Sequence, residues 1–441
     1  MGLHSRSPRP LHTTVAAIAL LIGLANPAFA TAGTLDPTFG GDGKVLTDFT
    51  SRTDIANGVA IQADGKLVVA GASGGGSKFA LARYNPHGSL DTTFSGNGKL
   101  TTDFTPHVDY ANDLAIQSDG KIVVVGESGV GVGSNPKFAV ARYNSDGSLD
   151  TTFGGDGKIT TDFTRHEDLA HGVAIQADAK IVAVGTRAAD RSDSRFALAR
   201  YNSDGSLDAT FGGDGRVTTN LTRRGDLIFW GVAIQPNGRI VVAGVAGSCF
   251  PSCNSRFALV RYNPDGSLDA TFGGDGKVTT DLTRRPDPAY DVTLQGDGKI
   301  VVAGDAGEFV GSNPGTFALA RYHSNGTLDG TFSGDGKVRT DLSPFDDGPS
   351  RVEIQTDGKI IVAGVSDYGG PNARFALLRY RAGGRLDAGF SGDGKLVTDF
   401  TAHADYANGL AIQGDGKIVA AGVAGEGGSN PKFAVARYLA A

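Results

Sequence analysis

The sequence predicts an all-β chain: a seven-bladed β-propeller of four-stranded antiparallel blades, its ring closed by the N-terminal strand. Three observations carry this. A unit of roughly 58 residues recurs seven times. Its phase is marked by a Leu-Asp pair starting at Leu35, Leu90, Leu149, Leu207, Leu268, Leu328 and Leu386, and by an Arg-Tyr pair starting at Arg83, Arg142, Arg200, Arg261, Arg321, Arg379 and Arg437. Strands such as Ile122-Val123-Val124-Val125 are apolar on both faces, so each small sheet needs cover on both sides, which stacked copies supply. The chain ends are complementary: a lone polar strand, Lys44 to Phe49, follows the first Leu-Asp, and the chain stops after Arg437-Tyr438, where the next such strand is due. Radial repetition of four-stranded sheets makes propellers of roughly four to eight blades. An open β-solenoid is the alternative, but it carries shorter coils and atypical end repeats.

Before the first repeat, Arg6 and Arg9 precede an apolar run from Val15 to Ala25 and then Ala28-Phe29-Ala30. This is the pattern of a charged region, a hydrophobic region and an A-x-A cleavage site. Residues 1–30 are therefore expected to be a signal peptide and residues 31–441 a single propeller, secreted or otherwise extracytoplasmic. The apolar run falls short of the roughly twenty residues a spanning helix needs, so no membrane insertion is expected. Removing Arg6 and Arg9 takes the formal charge from −6 to −8. That balance argues against nucleic acid, whose phosphates need clustered Lys and Arg. Cys249 and Cys253 lie close together in a Gly/Ser/Pro segment, and in an exported chain they read as a local disulfide.

The second unit shows the expected strands in order. Leu114 to Gln117 is short and alternating, and Ser118-Asp119-Gly120 is a tight hairpin turn. Lys121 to Gly126 is almost wholly apolar, Phe138 to Asn144 alternates large and small, and Lys158 to Phe163 is the most polar. Lys44 to Phe49 is expected beside Phe433 to Tyr438 as the outer strand of the last blade, which removes the exposed edges.

The motifs Ile116-Gln117-x-Asp119-Gly120-Lys121-Ile122-Val123-Val124-x-Gly126, Phe138-Ala139-x-Ala141-Arg142-Tyr143 and Gly147-Ser148-Leu149-Asp150-x-x-Phe153-Gly154-x-Asp156-Gly157-Lys158 resemble the delta-60 repeat family. The resemblance extends over essentially all of the chain after residue 30. It implies a bacterial β-propeller domain of unknown function and transfers no catalytic residue. Departures are mild: Asp178-Ala179 and Asn237-Gly238 replace Asp-Gly, and Gly383-Gly384-Arg385 replaces the usual turn.

Period-two alternation puts Arg142 on the face of Phe138 and Val140, where an adjacent blade covers it, so a carboxylate partner is required. The Asp of Leu-Asp recurs in every unit, pairing Arg142 with Asp150 and Arg200 with Asp208 as structural bridges. The Asp-Gly pairs suit tight turns better than a twelve-residue calcium loop, so no cofactor is expected, with calcium the one candidate. A further carboxylate, at Asp54, Asp109, Asp168, Asp287, Asp347 and Asp405, stands five residues before the first Val or Leu of the short strand, and Asp226 stands six before Val232. These seven are either loop caps bonded to backbone N–H groups or a ligand-binding ring at one channel mouth.

The segment after the apolar strand varies in length and chemistry, and it opens on the face that carries those carboxylates. That face is the candidate for recognition. Phe250, Phe309 and Tyr368 in these segments are candidates to stack on a sugar. Catalysis has little support: His107, His166 and His403 sit in His-x-Asp settings, but no nucleophile elbow, metal helix or phosphate loop is present. The expected function is a monomeric binding or scaffold module for an extracellular glycan or protein. A secreted hydrolase or lyase with its site at the channel mouth is the first alternative. It predicts one unit with unique polar residues at repeated positions, and the fourth, with Phe229-Trp230, comes nearest. A purely structural envelope protein is the second.

Overall fold

The computed structural model describes residues 31–131, 134–188, 193–222, 225–247, 255–283, 286–307, 314–370 and 373–440, less the side chains of Phe229 and Trp230. Seven four-stranded antiparallel sheets follow one another around a ring. In the second blade the strands, from the axis outwards, are Val108–Ile116, Ile122–Val130, Lys137–Tyr143 and Lys158–Thr161. The innermost strands of neighbouring blades contact one another around the channel. Lys44–Thr47 pairs with the last blade, Lys44 opposite Ala436 and Thr47 opposite Phe433, so the first strand of the chain completes the seventh sheet as expected.

Three strand bounds differ from the sequence reading, the simplest being that the second strand runs on to Val130, four residues past Gly126. The innermost strand begins at Val108, six residues earlier than expected, because a β-bulge at Asn112 interrupts its alternation: Ala111 faces Gly126 and Asp113 faces Val125. The bulge also explains a repeated glycine. A Cβ on Gly126 would lie 1.8 Å from the Tyr110 carbonyl oxygen, so only glycine lets the inner strand approach so closely. The outer strand stops at Thr161, two residues before Phe163, because the Phe163 amide turns away to a side-chain acceptor. In the fourth blade the irregularity widens, with Ile228 opposite Gly244 and Val232 opposite Val242, which accounts for the six-residue spacing from Asp226.

Alternation in the third strand of each blade builds the core. Phe138 and Val140 pack on the third blade, against Ala170 and Ala197. Ala139, Ala141 and Tyr143 face the first, where the buried Tyr143 hydroxyl donates to Thr102 Oγ1 at 2.7 Å. Large residues on one face and small ones on the other let successive sheets nest at interior packing density. At the turn where Asp178-Ala179 departs from Asp-Gly, Ala179 keeps the left-handed conformation, with φ of 63°. A Cβ there costs roughly 1–2 kcal/mol. Ala179→Gly is expected to stabilise the protein by about 1 kcal/mol in chemical denaturation; no gain would mean that the strain is relieved locally.

Candidate functional site

The seven repeated carboxylates are buried, 0–1% exposed, and turned into the backbone. Asp109 Oδ2 accepts from the Phe104 and Thr105 amides at 2.9 and 3.1 Å, while Oδ1 accepts from Thr105 Oγ1 and from Gly129 N, both at 3.0 Å. Asp54, Asp168, Asp226, Asp287, Asp347 and Asp405 bond the same way to the two amides four and five residues upstream. Each carboxylate therefore staples the interblade connection and, in most blades, also the loop after the apolar strand. Both segments lie on one face, as the sequence reading required. The ligand-ring expectation for these residues gives way to loop capping, since their oxygens are already used and closed to solvent. The His-x-Asp pairs dissolve for the same reason: His107, His166 and His403 are exposed while the Asp of each pair points inward.

On that face Tyr368 is 48% exposed and meets Tyr406 edge-on, with ring centroids 5.7 Å apart. Phe345, 57% exposed, immediately precedes Asp346, which pairs with Tyr368 across the ladder. Phe345 escaped the sequence reading because it lies in an interblade connection, and Tyr406 because it stands in the early part of an inner strand, before the bulge, rather than in a variable loop. Phe250, Phe309, Cys249 and Cys253 lie outside the described residues, so their predicted roles are not placed.

The channel breaks the repeat. The position after the bulge is Gly58, Gly172, Gly231 and Gly409 in four blades but Asp113, Asp291 and Arg351 in the others. Two residues on, Glu353 and Thr293 stand where five blades have alanine. Arg351 Nη2 donates to Asp113 Oδ1 at 3.0 Å, joining the sixth blade to the second across the ring, and its Nε donates to the Asn408 carbonyl at 3.1 Å. Asp113 Oδ2 accepts from Val173 N at 3.0 Å and Asp291 Oδ2 from Val352 N at 2.9 Å. Burial pushes the Asp291 carboxyl up to about 6, and burial with Asp291 nearby pushes Glu353 up to about 7. These unique polar residues fall in the second, fifth and sixth units rather than in the fourth. Among the described residues, no group of three or more His, Cys, Asp or Glu side chains is placed to hold a metal ion.

Away from the loop face, the repeated arginines sit in hubs. Arg142 Nε meets Asp150 Oδ2 at 2.8 Å, Nη2 donates to Thr152 Oγ1 at 3.2 Å, and Nη1 reaches the Ser203 carbonyl of the next blade at 2.6 Å. The guanidinium lies 4.6 Å from the centre of the Phe153 ring. Arg200 and Asp208 repeat this at 2.7 Å. Burial opposes ionisation of Asp150, but bonds from the Thr152 hydroxyl and amide and the charge of Arg142 outweigh it, holding the carboxyl down to about 2.

These two populations give stability a maximum in pH. Burial raises Glu127 to about 7 and Asp168 to about 6, alongside Asp291 and Glu353. The folded state takes up these protons before the unfolded state does, so stability rises as pH falls from about 8 towards 5. Asp150 and Asp329, both held near 2, have the opposite sign: their contribution is present above the unfolded carboxylate range and is lost as pH falls below about 4. The melting temperature is expected to peak near pH 5; a monotonic rise to pH 8 would contradict the channel assignment.

The fold and this face define a closed, seven-bladed propeller with a charged channel and an aromatic cluster at its loop end. Within that class, the chain belongs to the DUF5122 beta-propeller family, a domain of unknown function. The family model matches residues 62–94, 117–153, 176–211, 235–272, 295–332, 355–390 and 413–440, together more than half of the chain. No curated relative matches it. The chain is similar in fold to a catalytically inactive virginiamycin B lyase from Staphylococcus aureus with quinupristin, at 10% identity and a TM-score of 0.52, covering 89% of this chain and 98% of that one. It is also similar to a PL25 polysaccharide lyase, an ulvan lyase bound to -[GlcA(1-4)Rha3S]-, at 13% identity and a TM-score of 0.51, covering 90% and 96%. Among the described residues, no helix is long and apolar enough to cross a membrane.

Proposed function

We propose that the protein is an exported binding module, a delta-60-type propeller that recognises an extracellular glycan or protein through its loop face, without calcium or another cofactor. The ring pair of the exposed Tyr368 with the half-buried Tyr406, together with the exposed Phe345 on the same face, carries this reading. Aromatic faces offer apolar area with little loss of conformational freedom on binding, and they stack on the C–H faces of saccharide rings. The surrounding loops differ from blade to blade while the scaffold repeats, which is how a rigid fold presents one specific surface. Affinity electrophoresis in gels containing neutral, acidic or aminated polysaccharides is the test: retention in one gel that Tyr368→Ala and Phe345→Ala abolish supports the reading. Migration unchanged in every gel, with no protein captured, would favour the structural envelope reading.

A second reading, a hydrolase or lyase at the channel mouth, is favoured by one observation. Glu127, raised to about 7 by burial, faces Tyr110 across the ladder, and its buried Oε2 has no hydrogen-bond partner. Such a carboxyl is tuned for proton transfer near neutral pH. Product release from a polysaccharide, lost in Glu127→Gln, separates this reading from simple binding.

A further inference from the structure

The charge around the aromatic cluster narrows the ligand class, on the assumption that the loop face is the binding face. The position at the start of each third strand is basic in six blades: Lys78, Lys137, Arg195, Arg256, Arg374 and Lys432. In blades one, two and seven this lysine is spent on the Asp of an interblade connection: Lys78 meets Asp103 at 3.2 Å, Lys137 meets Asp162 at 3.2 Å and Lys432 meets Asp48 at 3.3 Å. The fifth blade carries Thr316 there instead, and its hydroxyl donates to the Ala306 carbonyl at 3.0 Å. The equivalent carboxylate, Asp341, is exposed.

The same blade adds a carboxyl, Asp305, which burial pushes well above the usual carboxylate range. Asp305 occupies a site that is Ala72, Thr186, Val245, Val365 or Val423 in five blades and Glu127 in the second. It is 1% exposed, and its Oδ1 is buried with no hydrogen-bond donor. Its other oxygen lies 2.6 Å from where a Cβ on Gly315 would stand, and the Gly315 amide donates to Asp346 Oδ1 at 2.9 Å. Asp346 in turn pairs with Tyr368, so this patch of carboxylates runs directly into the aromatic cluster. On the far side Glu426 is exposed beside Tyr406.

We infer that this patch binds a saccharide bearing ammonium groups, an amino-sugar polymer, rather than a uronate or sulfated one. Tyr368 and Tyr406 offer faces to the ring and to a cation, and Asp346 with its neighbours supplies the countercharge that the missing basic residue leaves uncompensated. An anionic polymer would meet repulsion at the same place.

The test uses residues 31–441 in calorimetric titration with a glucosamine hexamer, its N-acetylated counterpart and an oligogalacturonate. The glucosamine hexamer is expected to bind about tenfold more tightly than the N-acetylated form, with the difference shrinking in high salt. The oligogalacturonate is expected to give no heat. Asp346→Asn keeps the acceptor for Gly315 N while removing the charge. It should abolish the preference for the amine yet leave the melting temperature in place, whereas Tyr368→Ala should weaken both sugars. Equal affinity for the two hexosamine oligomers, or tighter binding of the galacturonate, would overturn the ligand class and leave loop-face recognition intact. No binding of any of the three saccharides would overturn the ligand class and, with it, glycan recognition by the loop face.

Discussion

Deleting residues 31–50 is expected to abolish the single cooperative melting transition. The segment supplies the outer strand of the seventh blade, with Lys44–Thr47 paired to Ala436 through Phe433. It also buries Phe39 completely and packs Val45 and Phe49 into the core between the seventh and first blades. Three polar ties go with it. Asp36 meets Arg437 at 2.9 Å, Thr47 Oγ1 accepts from the buried Tyr84 hydroxyl at 2.7 Å, and Lys44 Nζ donates to the Asp399 carbonyl at 3.2 Å. A fully buried phenylalanine alone contributes roughly 1.5–3 kcal/mol. The larger effect is the opening of the ring, which leaves the Phe433–Tyr438 strand as a bare edge and Arg437 buried without its carboxylate. A circular permutant that carries residues 31–50 after residue 440 keeps every one of these contacts. It should melt cooperatively. If the truncated chain still melts in one sharp transition at the same temperature, closure by this strand is not what holds the ring.

Arg200→Ala is expected to destabilise the protein by about 3 kcal/mol, the lower end of the cost of breaking a buried pair, because Asp208 keeps Lys180 at 3.0 Å and the Thr210 hydroxyl and amide. Asp208 would lose its 2.7 Å partner, Thr210 Oγ1 its 3.1 Å donor, and the Pro264 carbonyl of the next blade its guanidinium. The Phe211 ring would lose a cation 4.6 Å from its centre. Arg200→Lys should recover little, because one ammonium cannot reach three acceptors that a planar fork reaches together. Arg200→Met combined with Asp208→Leu should recover part of the loss, since the buried carboxylate that lost its planar partner is removed with it. Equilibrium denaturation of the three variants checks the order. A single Ala variant as stable as the parent would show that the hub is solvated rather than structural.

The ring and its repeated contacts were legible in the residues because each one recurs. Seven Leu-Asp and seven Arg-Tyr pairs fixed the blade count and the ion pairs, and a strand apolar on both faces required stacked sheets. The ends of the inner strands were less legible: a bulge at Asn112 breaks period-two alternation, so Val108 to Asn112 read as a connection. The seven carboxylates were found by spacing, but spacing alone does not say whether an Asp points at a channel or at the amides four and five residues before it. The channel charges were present in the sequence as exceptions. Asp113, Asp291, Arg351 and Glu353 replace glycine or alanine once the units are aligned on the first Val or Leu of the inner strand. Attention to the bulky Phe229-Trp230 drew the reading to the fourth unit instead. Tyr406 meets Tyr368 only through the stacking of the sixth and seventh blades, which no local pattern encodes.

The loop face as the recognition surface is tested most directly by hydrogen–deuterium exchange of residues 31–441 with and without the polysaccharide that retains the protein in affinity gels. The account predicts slowed exchange over residues 341–348, 366–370 and 404–407, which carry Phe345, Tyr368 and Tyr406, and no change in the Asp-Gly turns around residues 62–66 and 117–121 on the opposite face. Protection confined to those turns, with the aromatic segments exchanging as before, would contradict it.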